Sequence, residues 1–125
     1  MNLTVLDGSF AVCRLEPGAE LPSWAAGSGF YSITRTSDEL SVVCSQLAVP
    51  AGLLCESNWR CIEVQGPLDF TLTGILSSIA QPLAEAGISI FALSTYNTDY
   101  LMVKDDKLGH AIEVLELAGH KVACQ

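Results

Sequence analysis

Apolar residues recur at helical spacing in the stretch from Thr71 to Ala86. The residues on that face are Leu72, Ile75, Leu76, Ile79, Leu83 and Ala86. Spacing of three or four residues is typical of an amphipathic helix that buries one face. Gly87 comes directly after the last apolar position and predicts the end of the helix, because glycine is common just past helix ends. Pro82 lies inside the pattern and is expected to bend the helix by interrupting its hydrogen-bond ladder.

Other patterns surround this helix. Residues 60–66 alternate between polar and apolar as a strand does, and the alternation stops at Gly66-Pro67. Farther along, Asp105 and Asp106 are placed to cap a second helix. Its apolar face is formed by Leu108, Ala111, Ile112 and Leu115, and Gly119 follows its end. Residues 120–124 can supply a last short strand.

An internal repeat is visible when the chain is compared with itself. Residues 31–43 align without gaps on residues 91–103 at an offset of 60, and both copies read as strand, turn and strand. This alignment places an acid at Glu39 in the first copy and at Asp99 in the second. Upstream, residues 12–17 resemble residues 62–67 at an offset of 50, which leaves room for only a vestigial first helix near residues 21–26.

The second copy therefore predicts the order β-α-β-β-α-β, with two helices on one face of an antiparallel sheet. This is the ferredoxin-like arrangement, of the α+β class. The first copy has the same order with weaker helices, the second of them broken by Pro50. We predict two tandem units, residues 1–58 with the shortened first helix and residues 59–125.

The composition of the chain argues against two classes of binding partner, nucleic acids and membranes. Six basic and fourteen acidic residues give a net charge of −8, which repels nucleic-acid backbones and anionic membrane surfaces. No apolar run approaches the roughly 20 residues that a membrane-spanning helix needs. The first residues lack the basic and apolar regions of a secretion signal. We expect a cytoplasmic protein that contacts neither nucleic acid nor membrane.

Residues suited to catalysis or metal binding are few. The five cysteines are odd in number, form no CxxC pair and lie mostly in hydrophobic stretches, so we expect buried thiols in a reducing compartment. His110 lies off the helix stripe and is expected to be solvated, while His120 lies just beyond the helix. The chain has no glycine-rich phosphate loop and no serine elbow. We predict no enzyme activity, no metal and no cofactor.

The stretch from Ala84 to Val103, with the block Leu93-Ser-Thr-Tyr-Asn-Thr-Asp99, resembles the ACT-domain family. Within that family it is most similar to the branch that holds aspartate-kinase regulatory domains and cytosolic arginine sensors. The similarity extends from about residue 29 to residue 122 and includes the strand Phe30-Tyr-Ser-Ile-Thr34. The family implies regulatory binding of small molecules, most often amino acids, in the groove between two ACT units.

The resemblance also implies site residues. Ser89 and Ile90 match a strand that contacts the ligand from one unit. The contacts from the other unit match Tyr96 and Asp99 in a loop and strand start, with Gly74 near a helix start. The chain departs from the arginine sensors at Leu72, where they place a carboxylate shortly before that glycine. Those sensors hold four ACT units, so a homodimer of this two-unit chain restores four.

The chemistry of these residues suits an amino acid. Asp99 can accept from the ligand ammonium, and main-chain amides at the start of the helix near Gly74 can hold its carboxylate. Small hydroxyls such as that of Thr95 can donate, and Tyr96 offers an apolar wall. Asp99 by itself also reads as a turn-forming carboxylate.

Two alternatives remain open. One is a module that dimerises or binds a partner protein without any ligand, with Trp24 and Trp59 as candidate anchors. The other is an enzyme of ferredoxin-like fold. The amino acid and the regulated protein are not specified by the sequence.

Overall fold

The computed structural model describes residues 1–27, 29–69 and 71–125. The strands in chain order are β1 (Asn2–Val5), β2 (Phe10–Leu15), β3 (Ser32–Arg35), β4 (Leu40–Ser45), β5 (Leu54–Val64), β6 (Ile90–Ser94), β7 (Asp99–Lys104) and β8 (Lys121–Cys124). The helices are α1 (Ser23–Ala26), α2 (Ile75–Glu85) and α3 (Leu108–Leu117). Short 3-10 turns occupy Gln46–Ala48 and Asp105–Lys107.

The chain forms two compact units. The larger unit contains Met1–Asp7 and Arg60–Gln125, and the smaller unit contains Gly8–Trp59. The first seven residues thus pack with the second half of the chain, whereas the division predicted from the sequence grouped them with residues 8–58. The reason is that β1 pairs with β5 on one side and with β8 on the other.

The larger unit has the predicted β-α-β-β-α-β order from β5 to β8, with antiparallel strands, and the fold class is confirmed. In its sheet, β6 pairs with β7, and β7 pairs with β5. One strand is added to the predicted arrangement, since β1 lies antiparallel to β5 and parallel to β8. Leu3 and Val5 of β1 are 1% exposed, and they bury a full strand face in the core.

Helices α2 and α3 cover the core of the larger unit. Their most deeply buried side chains are Ile79 and Leu83 of α2 and Ala111 and Leu115 of α3. These residues pack with Leu3, Val5, Ile62, Val64, Leu101 and Val103 of the sheet. The stripe predicted from the sequence is therefore confirmed for its central positions.

The predicted start of α2 at Thr71 is wrong. The helix begins at Ile75, because Gly74 before it adopts a left-handed conformation with φ 75°. Leu72, which was assigned to the buried stripe, is 52% exposed as a result. The predicted end is confirmed, since Gly87 donates to the Ala84 carbonyl at 3.0 Å in a turn that closes the helix.

The start of α3 also differs from the prediction. Asp105 and Asp106 lie in a 3-10 turn before the helix, and Lys107 occupies the N-cap position without a side-chain cap. Asp105 forms an ion pair with Arg60 at 3.3 Å instead. The predicted end at Gly119 is confirmed by the hydrogen bond from the next main-chain N–H, that of His120, to the Leu115 carbonyl at 3.0 Å.

The smaller unit repeats the same strand order with reduced helices. Its sheet runs β3, β4, β2 and the first part of β5, and every pairing is antiparallel. The vestigial helix predicted near residues 21–26 is confirmed as α1, with four residues. The 3-10 turn Gln46–Ala48 takes the place of the second helix before Pro50.

The hairpins of the two units align at an offset of 59 rather than the predicted 60. The pair that flanks the first turn is Arg35 and Leu40, and the pair that flanks the second is Ser94 and Asp99, each 59 residues later. A shift of one residue exchanges the two faces of a strand. The counterpart of Asp99 is therefore Leu40 and not Glu39.

The cysteines differ from the expectation that all five are buried thiols. Cys13 and Cys55 form a disulfide between β2 and β5, while Cys44, Cys61 and Cys124 are free. Cys44 and Cys61 are buried as expected, and Cys124 is exposed. Among the described residues, no helix is long and apolar enough to cross a membrane.

Candidate functional site

The turn between β6 and β7 is closed by hydrogen bonds between two threonines. The main-chain N–H of Thr95 donates to the Thr98 carbonyl at 2.8 Å, and its hydroxyl donates to the same oxygen at 3.1 Å. In return, the main-chain N–H of Thr98 donates to the Thr95 hydroxyl at 3.3 Å. Four residues, 95–98, are thereby held in one conformation, with Tyr96 and Asn97 at the tip.

The turn is also fixed to the segment that follows β5. The hydroxyl of Thr98, a residue only 7% exposed, donates to the Val64 carbonyl at 2.6 Å. The N–H of Leu68 donates to the Asn97 carbonyl at 2.6 Å. A methyl group added to Gly66 would lie 3.0 Å from both the Asn97 carbonyl and the Thr98 Cβ. Glycine at position 66 therefore permits a contact that any side chain would obstruct.

A cavity of about 200 Å³ opens between this turn and the start of α2. It is lined by Leu68, Asp69, Leu72, Ile75, Ser94, Thr95, Tyr96, Asn97, Thr98 and Asp99. Leucine and isoleucine side chains form one part of the wall, and hydroxyl, amide and carboxylate groups form the other. A mixture of apolar surface and a few convergent polar groups is typical of a small-molecule site.

Asp99 begins β7 directly opposite the last residue of β6. The hydroxyl of Ser94 donates to its Oδ1 at 2.6 Å across the two strands. Asp99 is half-buried at the cavity wall. The sequence left open whether this residue is a turn-forming carboxylate, and the bond found here comes from the neighbouring strand.

Asp69, which was not among the predicted site residues, brings a second carboxylate to the same cavity. Its Oδ1 accepts from the main-chain N–H of Thr71 and from the Thr71 hydroxyl, each at 2.8 Å. The main-chain bond, and then the hydroxyl bond, hold the pKa of the Asp69 carboxyl below its usual value. The signal was an Asp two residues before a Thr ahead of a helix, which is a common turn pattern.

The structure gathers three of the six predicted site residues in one place. Thr95, Tyr96 and Asp99 line the cavity, with the Tyr96 side chain 81% exposed. The other three predicted residues do not line it. Gly74 lies at the N-cap of α2, Ser89 is exposed just before β6, and Ile90 begins β6 opposite Val103.

The two histidines and Cys61 do not line this cavity. His110 is exposed as predicted, whereas His120 is buried and its Nε2 lies 3.0 Å from the Ser78 carbonyl. Burial, and then the charge of Glu63, raise the pKa of the Cys61 thiol to about 12. No group of three metal-ligating side chains occurs among residues 1–27, 29–69 and 71–125.

Family models match both halves of the chain. A family model described as an ACT domain matches residues 54–116, and a separate model for an N-terminal domain matches residues 8–52. The protein named cytosolic arginine sensor for mTORC1 subunit 1 from Bos taurus is 36% identical over 111 residues, 80% of this chain and 34% of its own length. The Homo sapiens protein of the same name is 37% identical over 95 residues, covering 70% of this chain and 29% of its own length. The chain thus spans about a third of the length of the curated relatives it matches.

Solved structures agree on the fold. A protein from Agrobacterium tumefaciens superposes with a TM-score of 0.94 at 40% identity, over 99% of this chain and 92% of that one. Aspartate kinase from Clostridium acetobutylicum superposes with a TM-score of 0.68 at 15% identity, over 90% of this chain and 33% of that one. The regulatory subunit of aspartate kinase from Thermus thermophilus gives 0.60 at 10% identity, over 91% and 94%.

Proposed function

Because the chain belongs to the ACT-domain family, as its sequence predicted, we propose that it is a non-catalytic regulatory protein that binds a free amino acid where two ACT-type units meet. The observation that carries the proposal is the position of Asp99, a half-buried carboxylate at the wall of a cavity with apolar and hydroxyl surfaces. An amino acid presents an ammonium, a carboxylate and a side chain, and this cavity has a suitable group for each.

The ammonium is placed against Asp99. One of its carboxylate oxygens already accepts from Ser94, so Oδ2 is the atom that meets the ligand. The bonded hydroxyl also fixes the orientation of the carboxylate before the ligand arrives, which lowers the entropy cost of binding. A charge-assisted bond of this kind is stronger than one between neutral groups.

The ligand carboxylate is placed at the start of α2. The first intrahelical bond runs from the Ser78 N–H to the Gly74 carbonyl at 2.9 Å, and the N–H groups of the turn before it are the usual donors for an anion. Ile75, the first residue of the helix, lines the cavity. The ligand side chain then lies along the apolar wall, which includes Leu68 and Leu72.

A second protomer completes the site in this proposal. The cavity is open to solvent, and Tyr96 and Leu72 at its rim are 81% and 52% exposed. Ser89 and Ile90, the other predicted contacts, lie outside the cavity of their own chain. A homodimer in which these two residues close the cavity of the partner protomer accounts for both observations, and it brings the number of ACT-type units to four.

Three further properties belong to the same proposal. The protein acts in the cytoplasm, as the names of its relatives state for them. It changes the activity of a second protein, because regulation by a non-catalytic sensor requires a target. It has no catalytic activity and binds neither nucleic acid nor membrane, which agrees with its net charge of −8.

One observation favours the alternative of a ligand-free dimerisation or protein-interaction module. An aromatic ring that is 81% exposed at position 96 is the type of residue that anchors protein interfaces. In that case the cavity is part of a docking surface and no amino acid occupies it.

Thermal unfolding of the purified chain with each of the twenty amino acids distinguishes the two functions. A sensor is stabilised by one or a few of them in a concentration-dependent manner. A module without a ligand gives the same unfolding midpoint with all twenty, which would refute the proposed function.

A further inference from the structure

Cys13 and Cys55 lie directly opposite each other on neighbouring antiparallel strands. Their Cα atoms are 4.2 Å apart, a separation typical of the closely spaced pairs in such a ladder. The residues on either side are paired as well, Val12 with Glu56 and Arg14 with Leu54. The ladder therefore keeps the two cysteines side by side, and their proximity does not depend on the covalent bond.

We propose that Cys13 and Cys55 form a reversible thiol–disulfide site that is oxidised by a small-molecule disulfide of the glutathione type. The inference rests on the cytoplasmic location in the proposed function, because a disulfide in a reducing compartment is usually transient, catalytic or redox-sensing. It does not depend on amino-acid binding.

The two cysteines differ in solvent exposure. Cys13 is 1% exposed, whereas Cys55 is only partly buried. Both line an open cavity of about 310 Å³ on the smaller unit. Cys55 is therefore the sulfur that an incoming disulfide reaches, and Cys13 is the one that resolves the intermediate.

The reaction proceeds in two exchange steps. The thiolate of Cys55 attacks one sulfur of the small disulfide, forms a mixed disulfide and releases one small thiol. The thiolate of Cys13 then attacks the Cys55 sulfur, forms the Cys13–Cys55 bond and releases the second small thiol. Two protein thiols lose two electrons in total, and the small disulfide gains them.

The other cysteines are poorly suited to this chemistry and serve as internal references. Burial raises the pKa of the Cys44 thiol, and burial with the charge of Glu63 raises that of Cys61. Raised pKa values leave little of the reactive thiolate. Cys124 is exposed but pairs with Val5 on the neighbouring strand, so a mixed disulfide formed there has no resolving thiol opposite it.

The bond has a structural consequence in the smaller unit. It joins residues 42 positions apart, and the closed loop contains α1, β3 and β4. Closing a loop restricts the unfolded chain, so the oxidised form unfolds at a higher temperature than the reduced form. The reduced form keeps its fold because the strand pairs remain.

To test this proposal, the purified full chain is incubated in mixtures of reduced and oxidised glutathione. Free thiols are then alkylated, and the peptides are mapped by mass spectrometry. Wild type should form the Cys13–Cys55 disulfide as the oxidised fraction rises and lose it again, without denaturant, as the fraction falls. Cys13→Ser should accumulate glutathione on Cys55, whereas Cys55→Ser should leave Cys13 unmodified. Cys124 provides the reference for an exposed thiol.

A second measurement avoids any effect of the substitutions on folding. In the reduced wild type, Cys55 should be alkylated on the order of tenfold faster than Cys13 and Cys44, because it is the more accessible thiol. A pair that stays reduced in oxidised glutathione, a bond that resists reduction in the folded protein, or equal rates at Cys13 and Cys55 would each overturn the proposal. None of these results depends on an amino acid, so failure here is distinct from failure of the proposed function.

Discussion

The hydroxyl of Thr98 donates to the main-chain carbonyl of Val64 at 2.6 Å, and this bond joins the turn at the cavity to the end of β5. Thr98 is 7% exposed and Val64 is fully buried, so both groups are shielded from solvent. We infer that the bond positions Tyr96 and Asp99, which lie on either side of Thr98 in sequence.

Replacing this residue by Thr98→Val should destabilise the protein and weaken amino-acid binding. A buried carbonyl without its donor costs about 1–3 kcal/mol, and a loosened turn no longer presents the cavity residues in one conformation. Thr98→Ser keeps the hydroxyl and is the matched control. Urea unfolding followed by far-UV circular dichroism measures the difference, and equal stabilities for the two variants would contradict the role of the bond.

The close contact between Gly66 and the turn leads to a second prediction. Gly66→Ala places a methyl group 3.0 Å from the Asn97 carbonyl and the Thr98 Cβ, and such overpacking typically costs about 1–3 kcal/mol. Gly109→Ala is the control, because no atom other than those of its chain neighbours and its own helix backbone lies within 4 Å of the added methyl group, and alanine favours a helix. Differential scanning calorimetry should give a lower midpoint for the first variant and an unchanged or higher one for the second. Midpoints that move together would contradict a specific effect of the added methyl group at position 66.

The buried thiol of Cys61 should make the stability of the protein depend on pH in the alkaline range. Its pKa in the folded protein is raised to about 12, so the fold disfavours the thiolate. The resulting stabilisation is complete below the pKa of the unfolded thiol and is lost as the pH rises from that value toward 12. Between these limits the free energy of unfolding should fall by up to about 1.4 kcal/mol per pH unit more steeply in the reduced wild type than in Cys61→Ala. Denaturant titrations at several pH values above 9 measure the two slopes, and parallel slopes would be incompatible with the buried, protonated thiol.

The proposed dimer is tested by the exposed residue before β6. Light scattering coupled to size-exclusion chromatography should give a mass of twice the 13.3 kDa chain. Ser89→Arg should shift the equilibrium toward monomer, since it places a long charged side chain in the predicted interface. Leu117→Arg, at a position 89% exposed on α3, is expected to leave the mass unchanged. Dissociation by the second substitution alone would locate the interface on α3 instead.

Local patterns in the sequence predicted part of this structure well. The end of α2 at Gly87 and the reduced helix α1 follow from spacing and turn residues, and both are confirmed. The start of α2 was predicted four residues too early, because helical periodicity does not reveal the left-handed conformation of Gly74.

Pairings between residues that are far apart in the sequence could not be predicted from local patterns. The insertion of β1 between β5 and β8, and the opposition of Cys13 and Cys55, depend on strand order and register. The similarity of residue types favours an offset of 60 for the hairpins, whereas the strand pairing gives 59, so the sequence paired Asp99 with Glu39. Asp69 was missed at the site because its distance from Asp99 in sequence hides their common cavity.

Asp99 is the residue on which the proposed amino-acid binding depends most. Asp99→Asn keeps the size of the side chain and an oxygen for the Ser94 hydroxyl, but it removes the charge that meets the ligand ammonium. Loss of a charge-assisted bond is worth about 1.5–3 kcal/mol, or roughly ten- to a hundredfold in affinity. Glu39→Gln, a charge removal at the hairpin of the smaller unit, is the control and should bind as wild type does.

Isothermal titration calorimetry with the amino acid that raises the unfolding midpoint is the most direct measurement. We predict that Asp99→Asn binds it at least roughly tenfold more weakly than wild type and Glu39→Gln, with an unchanged unfolding midpoint in the absence of ligand. Equal affinities for wild type and Asp99→Asn would show that this carboxylate is a structural residue and that the binding site lies elsewhere.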